Sequence, residues 1–124
     1  TGPTREYLDP VRFISNESSG KQGSEIASAL NKLGIETKLI IGPSNISNIK
    51  NVITKKIVTA EEMFDEVKKS LPVDVAVCTA AVSDFKPAER SKSKIKKNDN
   101  LVLNEPSQYT PEAQVRIVED GHIH

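Results

Sequence analysis

A run of small hydroxylated residues and glycines, FISNESSGKQG, occupies residues 13–23 and precedes apolar residues at helical spacing. The N-terminus of a helix carries unpaired backbone N–H groups and a partial positive charge, so it binds anions. Gly20 and Gly23 would let a phosphate approach the backbone closely, while Ser18 and Ser19 would add hydroxyl donors. Lys21 would add a positive charge. The run therefore predicts a phosphate-binding turn or, alternatively, a Ser19 helix cap beside glycines that serve packing.

The run is not a P-loop of the Walker A type, GxxxxGK[ST]. No glycine lies five residues before Gly20, and Gln22 follows Lys21 where that pattern needs Ser or Thr. A nicotinamide-binding site is also disfavoured. No GxGxxG run follows a predicted strand, and no acidic residue ends the second predicted strand.

A second candidate site lies after the most apolar stretch of the chain, in the segment AAVSDFKP. Ala80 and Ala81 are small, so a flat ring or a ribose could lie against their backbone. Asp84 could accept a hydrogen bond from a hydroxyl group or help to hold a metal ion. The alternative for Asp84 is a helix or turn cap.

Four lysines occupy the run KSKIKK, namely Lys92, Lys94, Lys96 and Lys97. Such a charge run is usually a solvated face, but here it follows the predicted ligand-binding edge and is long enough to fold over a polyanion. Residues 86–100 are basic and nearly free of large apolar groups, so they predict a mobile surface loop, called the flap below. His122 and His124 have no further ligand nearby in the sequence and do not predict a metal site.

The elements that must position these groups indicate an α/β fold. Helices are predicted at 19–33 and 60–71, with an apolar stripe on each and a Thr59–Glu62 capping box on the second. Strands are predicted at 36–41, 52–58, 73–82, 101–106 and 115–118, and residues 1–10 as a loop. The order indicates a doubly wound, mainly parallel sheet with helices on both faces. Ligands in such sheets lie beyond the carboxyl ends of the strands, where 13–23 and 79–97 are expected.

The composition excludes several classes of function. The 124 residues are 36% hydrophobic and 27% charged, as in an ordinary soluble domain. Seventeen basic and seventeen acidic residues cancel, so neither nucleic acid nor an anionic membrane is the expected partner. One cysteine, Cys78, excludes an internal disulfide and fits a reducing compartment. With no apolar run near the roughly 20 residues of a membrane span and no signal peptide, a cytoplasmic protein is expected.

Together, GPTREYLDPVRFISNESSGKQG, AAVSDFKP and KIKK resemble phosphopantothenoylcysteine synthetase, the ligase half of the bacterial bifunctional coenzyme A biosynthesis flavoprotein. The resemblance covers about residues 1–104 and implies a Rossmann-like fold, a homodimer and a flap at 86–100. It implies CTP as a substrate, because the ISN and SSGK forms look like the bacterial branch, and Mg²⁺ as a cofactor. In that family the carboxylate of 4′-phosphopantothenate attacks the α-phosphate of CTP, and the L-cysteine amine then displaces CMP from the acyl-cytidylate.

The resemblance also implies roles for single residues. The catalytic residues would be Lys94, Asn16 and Arg12. The nucleotide-binding residues would be Ser18, Ser19, Gly20, Cys78, Thr79, Ala80, Ala81, Asp84 and Lys94. Ile95, Lys96 and Lys97 would belong to the part of the flap that reaches the partner subunit. No metal ligand is assigned.

The chain also departs from the family pattern. The family has an apolar strand before GPTRE and an NPD element after KIKK, and here only Pro106 matches that element. Residues 105–124 are expected to be a divergent tail, and the FMN-dependent decarboxylase half is expected to be absent, so FMN is not a cofactor. Two functions stay open: an active CTP-dependent ligase, or a truncated, inactive fragment that keeps the fold and binds nucleotide.

Overall fold

The computed structural model describes residues 1–95 and the backbones of Val115–Glu119 and His122–Ile123. Its elements are β1 (Gly2–Pro3), β2 (Arg5–Tyr7), β3 (Phe13–Ser15), α1 (Lys21–Lys32), β4 (Lys38–Ile41), β5 (Ile53–Lys56), α2 (Ala60–Ser70), β6 (Ala80–Ala81), β7 (Phe85–Pro87), β8 (Val115–Glu119) and β9 (His122–Ile123). The α/β class is confirmed, and β8 confirms the strand predicted at 115–118. The strand predicted at 101–106 lies outside the described residues. Neither helix of the described part is long and apolar enough to cross a membrane.

The opening residues form two short strands, where a loop is predicted from their glycine and prolines. β1 pairs in parallel with β6, and β2 pairs antiparallel with β3. β4 pairs in parallel with β5. Backbone hydrogen bonds also join Thr1 to β4, from Gly42 N–H to Thr1 O at 3.0 Å and from Thr1 N to Ile40 O at 2.7 Å. The parallel strands therefore lie side by side in the order β6, β1, β4, β5, although a continuous doubly wound sheet stays a prediction.

Helix α1 ends as its sequence predicts. Gly34 has a φ of +79°, its N–H bonds to Asn31 O at 3.0 Å, and the Ile35 N–H reaches Leu30 O at 3.1 Å. This pair of bonds is the Schellman motif, which glycine favours because the left-handed conformation strains other residues.

The apolar stripe predicted on α1 is wrong in part, since Leu33 is exposed. The buried face of α1 is instead formed by small residues, namely Gly23, Ser24 and Ala27.

Helix α2 begins at the predicted cap. The Thr59 hydroxyl accepts a hydrogen bond from Glu62 N–H at 3.1 Å, and a Glu62 carboxylate oxygen accepts one from Val58 N–H at 3.0 Å. Met63 is buried, but Val67 and Leu71 of the predicted stripe are exposed. The main apolar cluster lies between α1 and the β4–β5 pair and contains Ala27, Leu39, Ile41 and Val52, with Ile46 and Ile49 against it.

The strand predicted at 73–82 is present only as Ala80–Ala81. Val73, Val75 and Val77 are exposed by half or more of their surface. A strand buried on both faces needs a hydrogen-bonded neighbour and covering helices. Within residues 1–95 no strand pairs with 73–79, so the apolar pattern alone does not produce a strand there.

Candidate functional site

The turn before α1 forms the N-terminus of that helix. Gly20 is the N-cap residue, with a left-handed φ of 74°, so the alternative of a Ser19 cap is wrong. The Ser18 hydroxyl accepts a hydrogen bond from Gly20 N–H and the Ser19 hydroxyl one from Lys21 N–H, each at 3.3 Å. The two serines therefore shape the turn, while later N–H groups of the first helical turn stay available, as at any helix start.

An open cleft of about 590 Å³ lies beside this turn. Its lining is mainly polar and consists of Arg5, Ser18, Ser19, Pro43, Ser44, Asn45 and Ile46. The Arg5 guanidinium carbon lies 4.5 Å from the centroid of the Phe13 ring, which stacks beneath the charge. Sequence reasoning missed Arg5 and the 43–46 loop, although Arg5 stands within the GPTRE motif. A cation and two hydroxyl groups around one cleft favour an anionic ligand.

The second predicted segment lies against the first. Asn16 Nδ2 donates a hydrogen bond of 2.8 Å to Val82 O, directly after Ala80 and Ala81. Below this contact, the Thr4 hydroxyl accepts a hydrogen bond from Ser83 N–H at 2.9 Å, and Ser15 Oγ donates one to Thr4 O at 2.7 Å. The two candidate loops thus meet, as their placement at strand ends predicts.

The helix also approaches the Thr79 segment closely. A Cβ atom added to Gly23 would clash with the side chain of Thr1 and would lie 2.6 Å from Thr79 Oγ1, so only glycine fits here. Gly23 therefore serves packing, which was one of the two interpretations of the glycines in this run. Cys78 is a free, exposed thiol, and Asp84 is also exposed.

Asp9 and Arg12 form a third group, beside the flap. Asp9 is fully buried, and its Oδ1 accepts hydrogen bonds from Val11 N–H and Arg12 N–H, each at 2.8 Å. Its Oδ2 accepts from Arg12 Nη1 at 3.0 Å and from Ile95 N–H at 2.9 Å. Burial disfavours the charged carboxylate, but the donated N–H groups of Ile95, Val11 and Arg12 and the Arg12 charge outweigh it and lower the pKa of Asp9. Asp9 is therefore ionised at neutral pH.

The flap is described as far as Ile95, and Lys96 and Lys97 lie outside the described residues. Arg12 Nη1 donates a 2.6 Å hydrogen bond to Ile95 O, so the predicted catalytic arginine contacts the residue next to Lys94. The Lys94 side chain is exposed. Sequence reasoning missed Asp9, whose only signal was its place three residues before Arg12 in the DPVR motif.

The described residues offer a Mg²⁺ ion single carboxylates and not a complete protein site. In the described part of the chain, no group of three or more His, Cys, Asp or Glu side chains could hold a metal ion by itself. Mg²⁺ in nucleotide sites commonly takes only one or two carboxylates and binds the substrate phosphates. The exposed Asp84 carboxylate, next to the Asn16–Val82 contact, could supply one such ligand.

The chain is similar in sequence to proteins of one family. Residues 1–109 match the family described as "DNA/pantothenate metabolism flavoprotein C-terminal domain". The "Coenzyme A biosynthesis bifunctional protein CoaBC" of Haemophilus influenzae is 43% identical over 102 residues, which are 82% of this chain and 26% of that protein. The protein of the same name from Thermococcus kodakarensis is 42% identical over 106 residues, again 82% and 26%. The chain thus spans about a quarter of the length of these relatives.

Solved structures agree with this assignment. The crystal structure of the C-terminal domain of a "Coenzyme A biosynthesis bifunctional protein CoaBC" superposes with a TM-score of 0.66 at 35% identity, covering 84% of this chain and 55% of that one. The "DNA/Pantothenate Metabolism Flavoprotein from Streptococcus pneumoniae" superposes with a TM-score of 0.65 at 29% identity, covering 70% of this chain and 39% of that one. The family resemblance carried by the GPTRE, AAVSD and KIKK motifs is confirmed. The chain belongs to the DNA/pantothenate metabolism flavoprotein C-terminal domain family.

Proposed function

We propose that this chain is the nucleotide-binding and acyl-activating part of a CTP-dependent phosphopantothenate–cysteine ligase in coenzyme A biosynthesis. The observation that carries the proposal is the hydrogen bond from Asn16 to Val82. It brings the turn before α1 and a segment of small residues together in a chain whose relatives are named for coenzyme A biosynthesis. A triphosphate and its nucleoside need these two surfaces side by side.

The nucleotide would lie across both loops. Ser18, Ser19 and Gly20 would face its phosphates at the start of α1, where the N–H groups and the helix dipole favour negative charge. Ala80 and Ala81 would leave room for the ribose or the ring, with Cys78 and Thr79 before them and Asp84 after them. Bound Mg²⁺ would neutralise phosphate charge, with Asp84 as a protein ligand. The parallel order β6, β1, β4, β5 supports a Rossmann-like arrangement around this site.

The chemistry needs stabilisation of charge more than proton transfer. The carboxylate oxygen of 4′-phosphopantothenate would form a bond to the α-phosphorus of CTP as the bond to pyrophosphate breaks, which yields the acyl-cytidylate. The amine of L-cysteine would then attack the acyl carbon, lose a proton and release CMP. Negative charge on the α-phosphate rises in the first step, and Lys94 would stabilise it. Arg12 and Asn16 would hold the acyl intermediate; because the Asn16 amide nitrogen donates to Val82 O, its Oδ1 atom would be the one that accepts a hydrogen bond from the intermediate.

The compartment and the oligomeric state of the enzyme follow from the same family resemblance. We propose a cytoplasmic homodimer in which Ile95, Lys96 and Lys97 of the flap reach the partner subunit. The relatives are named as bifunctional proteins, and this supports fusion of the ligase to a second, FMN-dependent decarboxylase part.

Pyrophosphate release tests the proposed function. The full-length protein with CTP, Mg²⁺ and 4′-phosphopantothenate, but without cysteine, should release about one equivalent of pyrophosphate per active site. Addition of L-cysteine should then allow turnover and CMP release. A reaction without phosphopantothenate is the control and should release none. Absence of pyrophosphate in the complete mixture would contradict the proposal.

A second candidate is a domain that binds nucleotide without turnover, which the meeting of the two loops at the Asn16–Val82 bond would equally support. This alternative predicts that CTP binds, as measured by calorimetry, while no pyrophosphate is released under any combination of substrates.

A further inference from the structure

Asp9 and Arg12 close a ring of hydrogen bonds around the backbone of Ile95. Asp9 Oδ2 accepts from the Ile95 N–H at 2.9 Å, and Arg12 Nη1 donates to Ile95 O at 2.6 Å. The third side of the ring is the 3.0 Å ion pair between Arg12 and Asp9 themselves. The ring joins positions 86 and 83 residues apart in the chain, so it is a tertiary contact and not part of a local turn.

We infer that Asp9 is a positioning residue for Lys94, which it holds through the backbone of Ile95. The inference rests on the proposed function, in which Lys94 meets the α-phosphate. The N–H that Asp9 binds belongs to the peptide group between Lys94 and Ile95. Because a peptide group is planar, a fixed N–H also fixes the carbonyl of Lys94 and the direction in which its Cα lies.

The hydrogen bonds that Asp9 makes within its own turn account for only one of its two carboxylate oxygens. Asp9 Oδ1 alone accepts both N–H groups of the turn, from Val11 and Arg12. Oδ2 is directed away from that turn, to the Arg12 guanidinium and the flap. A fully buried carboxylate is costly unless its acceptor sites are filled, so the flap backbone supplies a donor that the buried charge needs.

Two further contacts hold the base of the flap against the same turn. Ser91 N–H donates to Leu8 O at 2.9 Å. The Arg90 guanidinium carbon lies 4.7 Å from the centroid of the Tyr7 ring. These contacts bring the flap near residues 7–12, whereas the ring at Ile95 is the contact next to Lys94. Loss of Asp9 should therefore release Lys94 while the base of the flap stays in place.

Hydrogen exchange tests the contact without any enzyme assay. Asp9→Asn keeps the size of the side chain but replaces an acceptor oxygen by a donor. The exchange rate of the Ile95 amide, measured by NMR on the full-length protein, should rise about 10-fold or more, because a charged hydrogen bond is lost. Glu89→Gln removes an exposed carboxylate of the same loop and should leave that rate unchanged. Equal Ile95 exchange in Asp9→Asn and the parent protein would overturn the inference.

A double-mutant cycle tests the link to Lys94. Asp9→Asn should lower kcat for pyrophosphate release roughly 10²-fold with little change in the KM for CTP, as misplaced catalytic groups do. In a Lys94→Gln background, the same substitution should have no further effect. A loss of the same factor in both backgrounds would show that Asp9 acts independently of Lys94, and would overturn the inference.

A second variant and a separate reading of the exchange experiment cover the cases in which Asp9→Asn does not fold or the parent protein is inactive. If Asp9→Asn does not fold, Arg12→Gln serves instead: it removes the Nη1 bonds to Ile95 O and to Asp9 Oδ2. With these two sides of the ring lost, the Ile95 exchange rate should rise; an unchanged rate overturns the inference. If the parent protein releases no pyrophosphate, the proposed function fails, while the exchange experiment still decides whether Asp9 holds the flap.

Discussion

The amide group of Asn16 donates a 2.8 Å hydrogen bond to the backbone carbonyl of Val82. The two residues are 66 positions apart, and each belongs to one of the two loops in which nucleotide binding is expected. Because Asn16 is exposed, this bond contributes little to the packing of the core. Its main effect is to fix the distance between the two loops.

Asn16→Asp should separate the two loops. The variant places a carboxylate oxygen against Val82 O, so an attraction becomes a repulsion. We expect kcat/KM for CTP to fall about 10-fold or more, while the free energy of unfolding falls by only about 1 kcal/mol, the usual net value of one hydrogen bond. Asn48→Asp is the control, since Asn48 is an exposed loop asparagine. Equal kinetics for the two variants would show that the Asn16–Val82 bond has no role in the site.

Lys94→Gln should lower kcat for pyrophosphate release about 10²–10³-fold, with a smaller effect on CTP binding, because a preorganised charge acts mainly in the transition state. Lys92→Gln, two residues earlier and also exposed, should change little. If the lysines form only a solvated patch, both substitutions should have similar small effects that fade with added salt. Steady-state kinetics of both variants at two salt concentrations distinguish these outcomes.

Gly20→Ala should destabilise the fold and weaken CTP binding. Gly20 has a φ of +74°, and a left-handed conformation costs roughly 1–2 kcal/mol for other residues. Its added Cβ would also lie 3.2 Å from Ile41 Cδ1. Gly34→Ala is the matched control, because Gly34 has a φ of +79° and nothing within 4 Å of an added Cβ.

Both glycine substitutions should therefore lower the free energy of unfolding in urea, and Gly20→Ala should lower it more. Only Gly20→Ala should raise the Kd for CTP, measured by calorimetry. Equal CTP affinity in the two variants would contradict a phosphate site at this turn.

Glu6→Gln should stabilise the protein at neutral pH. Burial raises the pKa of Glu6 above its ordinary value of 4.5, and the hydrogen bond from Ala60 N–H at 2.9 Å offsets this only in part. A group whose pKa is higher in the folded state stabilises the fold below its ordinary pKa. That stability is lost as the pH rises through the raised pKa. Gln keeps an oxygen for Ala60 N–H but does not ionise.

Urea unfolding at two pH values checks this prediction. At pH 7, Glu6→Gln should have a higher free energy of unfolding than the parent protein, and the difference should shrink near pH 4. Glu36→Gln, at an exposed position, is the control and should leave the free energy of unfolding at pH 7 close to that of the parent protein. A Glu6→Gln protein that is less stable than the parent at pH 7 would show that the ionised carboxylate is favourable there.

The elements that depend only on neighbouring residues could be predicted from the sequence. The Thr59–Glu62 cap and the Gly34 end of α1 form within single helical turns, so their patterns predict them. The turn at Ser18–Gly20 is equally local, since its serine hydroxyls bond to backbone groups two residues away. The family could also be predicted from the motifs, because a motif specifies particular residue types and not only the spacing of apolar residues.

The features that need a distant partner became visible only in the folded chain. The apolar pattern at 73–79 does not become a strand, because pairing requires a neighbouring strand that no local pattern supplies. At Gly23 on the buried face of α1, the side chains of Thr1 and Thr79 leave no room for a Cβ atom, and this contact between distant segments is not visible in the helical pattern. The contact between Asp9 and Ile95 spans 86 residues, and a local pattern does not identify the donor that a buried carboxylate finds across such a distance.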